Sequence, residues 1–311
     1  MVRIALALAA LLIAQPAQAQ QFVNILTGGT SGVYYPLGNA LSTIYGKALP
    51  NAKSSVQATK ASVENLNLLE SGRGEIAFTL GDSLAQAWTG VEDAGFKAPL
   101  KKLRGIAGIY PNFIQVVASA ESGVKTLADL KGKRVSVGAP KSGTELNARA
   151  VFKAAGLTYA DMKVQYLPFG ESVELLKNRQ LDATLQSAGL GVASIRDLAS
   201  SIDIAVVAIP AATAAAIGDP AYQPAVIPAN TYKGQAAEVA TVAINNFLVT
   251  HQGVSDDTAY LMTKAMFDNL ADLQAAHAAA KDIKLENAAR AMPVPLHPGA
   301  EKFYREKGLL K

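Results

Sequence analysis

The chain of 311 residues contains no cysteine. That excludes disulfides, a thiolate nucleophile, cysteine ligands for zinc or iron–sulfur clusters, and a lipid-anchored N-terminal cysteine. Histidine is scarce: His251, His277 and His297 lie far apart, and no two have the spacing of a metal pair. Charged residues make up 17% of the chain, 29 Lys and Arg against 25 Asp and Glu, with no long run of one sign. The basic stripe that nucleic-acid binding needs is missing. No serine sits in the Gly-x-Ser-x-Gly frame of a hydrolase elbow, and the one conspicuous glycine loop lacks the lysine of a nucleotide P-loop. These absences point away from an enzyme and from any metal or cofactor. A distant histidine folded against Ser31 or Ser142 is the remaining catalytic alternative.

Long apolar runs are missing too. The longest, "IALALAALLIA", has about eleven residues, too few to span a bilayer comfortably. With Arg3 before it and Ala17-Gln18-Ala19 after it, the segment Met1 to Ala19 reads as a secretory signal that is removed. An exported, unanchored periplasmic protein is the expectation. Half of the residues are hydrophobic, ample for one large domain or two modest ones.

The most informative stretch is "GGTSGVYYPLG", Gly28 to Gly38. Phe22 to Thr27 alternate as a strand should, and Leu37, Leu41, Ile44 and Tyr45 follow at helical spacing. Glycines between a strand and a helix let the backbone approach a ligand, and the helix start aims free N–H groups at it. A plain strand-to-helix turn is the alternative. Val56 to Thr59 is a candidate second strand. Ser62 opens the helix "SVENLNLLESG", as its N-cap or as a ligand contact. "EIAFTL" then leads into Gly81-Asp82-Ser83.

The same order recurs. Strand Val135–Val137 runs into Ser142-Gly143-Thr144 and a helix, and "SVELLKNRQLDATLQSAG" echoes "SVENLNLLESGRGEIAFTLGD". Two echoes in one order predict two similar α/β lobes. Tyr110 to Ser119 and Val239 to Thr250 are extended runs placed to carry the chain across and back. Lobe one is therefore expected at 20–114 plus 239–311 and lobe two at 115–238, with a helical tail from Ser255.

The opening loop, "SVENL", "KTLADLKGKRVSVGAPKSGTELNARAVFKAAGLTY" and "PLHPGAEKFYREKGL" together resemble the TAXI family of TRAP transporter substrate-binding proteins, in order and over nearly the whole chain beyond the signal. The resemblance implies a type II periplasmic binding fold, two lobes joined by two crossover strands around a cleft. It also implies a small carboxylate-bearing ligand, a dicarboxylate or a glutamate-like amino acid. That ligand would be handed to a TRAP membrane permease by a soluble, monomeric partner. A periplasmic sensor feeding a membrane kinase is the alternative role.

Thr30, Ser31, Gly32, Val33 and Tyr34 would hold the anion from one lobe and Ser142, Gly143 and Thr144 from the other. Ser62 and Tyr110 join them as cleft-wall candidates. Relatives commonly show Gln-Ser-Asp where this chain has Leu80-Gly81-Asp82, so Asp82 remains, to meet a ligand ammonium or hydroxyl or to cap its helix. Gln186, Ser187 and Gly189 stand where relatives are commonly apolar. Lys141, where relatives are more often small or neutral, is read as a point charge that selects anions or as a solvated surface lysine.

Overall fold

The computed structural model describes residues 20–310, so the segment Met1 to Ala19, expected to be a secretory signal, lies outside the described residues. The first half alternates strand and helix: β1 (Gln21–Leu26), α1 (Tyr34–Ala48), β2 (Ala52–Gln57), α2 (Ser62–Glu70), β3 (Ile76–Leu80) and α3 (Gly81–Thr89). A 17-residue strand, β4 (Leu103–Ser119), then crosses to the second half. There β5 (Arg134–Ser136), α4 (Gly143–Ala154), β6 (Lys163–Gln165), α5 (Phe169–Lys177) and β7 (Ala183–Ala188) repeat the pattern. After α6 (Ala193–Ser201), β8 (Ile204–Val207), α7 (Ala211–Ile217) and β9 (Gln223–Ile227), the 13-residue β10 (Val239–His251) returns. The helices α8 (Asp256–Asp268), α9 (Leu270–Ala276) and α10 (Pro298–Glu306) close the chain.

The strand order β2-β1-β3-β10-β4-β7-β5-β6 makes the internal repeat visible as topology. In each half the first strand of the unit lies between the second and third, all parallel. Parallel neighbours need a crossover helix, which is why strand and helix alternate in the sequence. The two parallel groups form the two lobes of a type II periplasmic binding fold, and β4 and β10 run antiparallel to each other between them. β10 pairs with β3 through Asn246–Val249 and with β9 through Val239–Ala243. The chain is therefore still in the second group at Ala243, some residues past the boundary expected at 238. The β4–β10 register slips between Asn245 and Phe247, a bulge-like irregularity placed where the strands pass from one lobe to the other.

Burial explains the helices. In α1 the buried Leu37, Leu41, Ile44 and Tyr45 fall on one face, and each such side chain gains about 1.5–3 kcal/mol on leaving water. Two sequence expectations shift. The second strand is Ala52–Gln57, not Val56–Thr59, because the strand's alternating pattern begins earlier. The helical tail is interrupted at Asn269, where φ −124° and ψ 34° end α8 and start α9.

Candidate functional site

Parallel strands place their following loops at one end, and here the loops of both groups meet there. They enclose a cavity of about 120 Å³ lined from the loops and helix starts after β1, β2, β5 and β6, from the ends of β3 and β7, and from Tyr110 and Asn112 on β4. Four helices start at its wall: α1 at Tyr34, α2 at Ser62, α4 at Gly143 and α5 at Phe169. Each start leaves backbone N–H groups without intrahelical acceptors and the positive end of a helix dipole. Among the described residues that line the cavity, Lys60 is the one cation and none is acidic.

Of the residues singled out from sequence, Gly32, Val33, Tyr34, Ser62, Tyr110, Ser142, Gly143, Thr144 and Ser187 line this cavity. Ser142 caps α4 by accepting from Glu145 N at 3.1 Å, which leaves its hydroxyl hydrogen free to donate. Ser62 does not cap α2. It is the first helical residue, and its Oγ accepts from Leu80 N at 3.1 Å. Ala61 takes the cap position instead, at φ 70° and ψ −146°, a conformation that costs an alanine about 1–3 kcal/mol. That turn sets Lys60 and Ser62, on either side of it, on the cavity wall.

A chain of buried amides supports the floor. Tyr34 Oη donates to Asn246 Oδ1, Asn246 Nδ2 donates to Tyr110 O at 2.8 Å and Asn112 Oδ1 at 2.7 Å, and Asn112 Nδ2 donates to Ser187 O at 2.9 Å. Asn246 sits in the register slip of β10, so the irregular strand supplies the side chain that ties α1, β4 and β10 together. The Tyr34 ring stacks on Phe78 with centroids 5.0 Å apart. Burial pushes the phenols of Tyr34 and Tyr110 well above their ordinary range, so both stay neutral donors. The Tyr110 hydroxyl and Ser187 Oγ are buried and have no protein partner. Both residues line the cavity, whereas other unpartnered buried side-chain atoms, such as Tyr45 Oη and Thr184 Oγ1, lie away from it.

The remaining expected residues are not on the cavity wall. Thr30 is exposed and Ser31 faces Gly170, where an added Cβ would lie 3.3 Å from its Oγ. Gly189 packs behind the wall against Tyr110 and Ala279, and Gln186 is buried with its Oε1 accepting from Ser194 Oγ at 2.6 Å. Lys141 is exposed, outside the cavity, and at φ 61°. What reaches across the cleft is its carbonyl, which accepts from Glu64 N at 3.3 Å.

Asp82 departs furthest from expectation. It is 1% exposed, does not line the cavity, and accepts from Asn147 Nδ2 and Tyr222 Oη, each at 2.7 Å, and from Ser83 N at 2.6 Å. Loss of solvent raises its pKa to about 6, only partly offset by the Tyr222 and Ser83 hydrogen bonds.

Sequence reading passed over Lys60, Thr59, Asn112 and Phe169, all on the wall. The repeat held the signal for one of them: the offset that puts Ser172 on Ser62 puts Phe169 on Thr59. The three histidines serve the fold. Each accepts a backbone N–H two residues on through Nδ1, His251 from Gly253, His277 from Ala279 and His297 from Gly299.

A model of the NMT1-like family matches residues 25–308. The chain belongs to the NMT1-like family. Solved structures similar to this family member share its fold at low identity. The periplasmic binding protein BugD has 9% identity and a TM-score of 0.60, with 94% of this chain and 99% of that one covered. A binding protein component of an ABC phosphonate transporter from Pseudomonas aeruginosa has 11% identity, coverage of 85% and 80%, and a TM-score of 0.54. The alkanesulfonate-binding protein SsuA from Xanthomonas axonopodis pv. citri, bound to MOPS, has 16% identity, coverage of 91% and 83%, and a TM-score of 0.50.

Proposed function

We propose that this chain is a periplasmic solute-binding protein that captures a small carboxylate in the cavity between its lobes and delivers it to a membrane permease. The observation that carries the reading is the convergence of four helix starts and Lys60 on a cavity wall without an acidic side chain. Each helix start favours an anion by about 0.3–1 kcal/mol, and more where water is excluded. Tyr110 Oη and Ser187 Oγ call for a further acceptor on the same molecule, such as a keto, hydroxyl or second carboxylate oxygen. An ammonium group finds no carboxylate on that wall, since Asp82 is committed elsewhere. This argues for an organic acid over the glutamate-like amino acid.

Transport rests on kinship. Solved structures with this fold include a named binding component of a transporter, and the sequence blocks quoted above resemble the TAXI group of TRAP systems. No helix among the described residues is long and apolar enough to cross a membrane, so the permease is a separate chain in this reading.

Calorimetric titration with matched pairs tests the proposal: pyruvate and lactate against alanine, and 2-oxoglutarate against glutamate. The oxo or hydroxy acid of at least one pair binds, tighter than its amino counterpart by tenfold or more. Lys60→Ala weakens that binding about tenfold at low salt, and Lys141→Ala leaves it unchanged. Tighter binding of the amino acids, or no carboxylate binding at all, overturns it.

A further inference from the structure

The side chain read from sequence as a ligand contact, Asp82, has another partner. It lies on α3 of the first lobe, whereas Asn147 lies on α4 and Tyr222 between α7 and β9, both in the second. The three form a closed triangle, because Asn147 Nδ2 also donates to Tyr222 Oη at 2.9 Å. All are buried, at 1%, 0% and 6% exposure, and none lines the cavity. We infer that Asp82, Asn147 and Tyr222 form a latch between the lobes that holds a closed population without help from a bound ligand, and so positions the two halves of the cavity.

The physical grounds are charge and geometry. With a pKa of about 6 the carboxylate is mostly ionised at neutral pH, so both hydrogen bonds from the second lobe are charge-assisted. Such bonds matter most where water is excluded, and removing one donor leaves a buried charge short of partners. Separation of the lobes breaks both bonds at once and hydrates the carboxylate. Neighbouring contacts close along the same line: Arg149 Nη1 donates to Asp93 O at 3.0 Å, and Glu64 N donates to Lys141 O. These are exposed or backbone contacts, whereas the triangle is the buried, charged one. The inference rests on the two-lobed fold and not on which solute is bound.

The absence of cysteine makes the test clean. Lys47→Cys on α1 and Lys153→Cys on α4 put one exposed spin label on each lobe, and double electron–electron resonance reads the distance distribution of the ligand-free protein at pH 7.5. The labelled parent shows a short-distance, closed population. Tyr222→Phe, which deletes one donor and keeps the ring, lowers the closed-to-open ratio about tenfold. Asn147→Ala does the same through the other donor and guards against one variant failing to fold, with circular dichroism checking the native content of each. A wholly open parent overturns the latch. So do distance distributions that stay unchanged in both folded variants, even if their melting temperatures fall, because a merely structural role would lower stability without moving the lobes.

Discussion

At the scale of single residues, what the sequence hid was direction. Asp82 follows a strand and opens a helix, and nothing in "FTLGDSLAQ" distinguishes a carboxylate facing a ligand from one facing a neighbouring lobe. Lys141 is a similar case: its side chain points to solvent and its carbonyl makes the cross-cleft contact, in a left-handed conformation that no local motif announces. Burial of Asp82 has a measurable consequence. The titratable groups that face it are Tyr222 and Asp219 beyond α7, Tyr34 on α1 reaches it electrostatically, and α4 presents the neutral Asn147. The folded protein holds the Asp82 proton up to about pH 6, and the unfolded chain releases it near 3.8. Between these values the folded state binds more protons, so the stability this group contributes is complete below pH 4 and is lost as pH rises through 6. The full span corresponds to about 3 kcal/mol. Urea unfolding at pH 4, 5, 6 and 7 should therefore show Asp82→Asn gaining on the wild type as pH increases. Parallel curves across that range would refute the assignment.

At the scale of elements, far more was legible, because periodicity and order survive where direction does not. The repeat of a Ser-Gly loop followed by a helix gave two of the four helix starts at the cavity, and Ser62 gave a third. The start of α5 was missed because Ser172, the counterpart of Ser62, turns inward: its Oγ bonds Ser136 Oγ at 2.6 Å and donates to Pro168 O at 2.9 Å. A similar helix thus presents its first residue, Phe169, to the cavity in place of its serine. The α4 start packs closely against the first lobe. A Cβ on Gly143 would lie 2.6 Å from both Ser62 Oγ and Leu80 Cδ1, although the residue's backbone conformation tolerates alanine. Gly143→Ala should consequently spare the fold and obstruct closure. The expected result is at least a tenfold loss of carboxylate affinity with a melting temperature within about 2 °C of wild type when no ligand is added. Unchanged affinity would show that the lobes approach less closely in solution than the geometry requires.

At the scale of the whole molecule, two lobes do not imply two folding units. β4 and β10 each belong to both halves, so neither parallel group completes its sheet without strands shared with the other. One hydrophobic cluster also joins them, with Leu37, Ile106 and Met266 from the first lobe and its tail in the same cluster as Val173, Leu181 and Ile195 from the second. The crossover role of β4 and β10 could be read from two extended runs in the sequence, but this common core could not, since it depends on how the tail folds back over both halves. Independent domains unfold separately when few contacts cross between them, and here the sharing is covalent, hydrogen-bonded and hydrophobic at once. The only tryptophan, Trp88, lies on α3 of the first lobe with Lys101 Nζ 4.1 Å above its ring, so its fluorescence reports that lobe, whereas far-UV circular dichroism reports both. Equilibrium denaturation followed by the two signals should give superimposable curves with one midpoint. If the fluorescence midpoint separates from the dichroism midpoint, the first lobe melts on its own, and the shared strands and core do not couple the halves as argued.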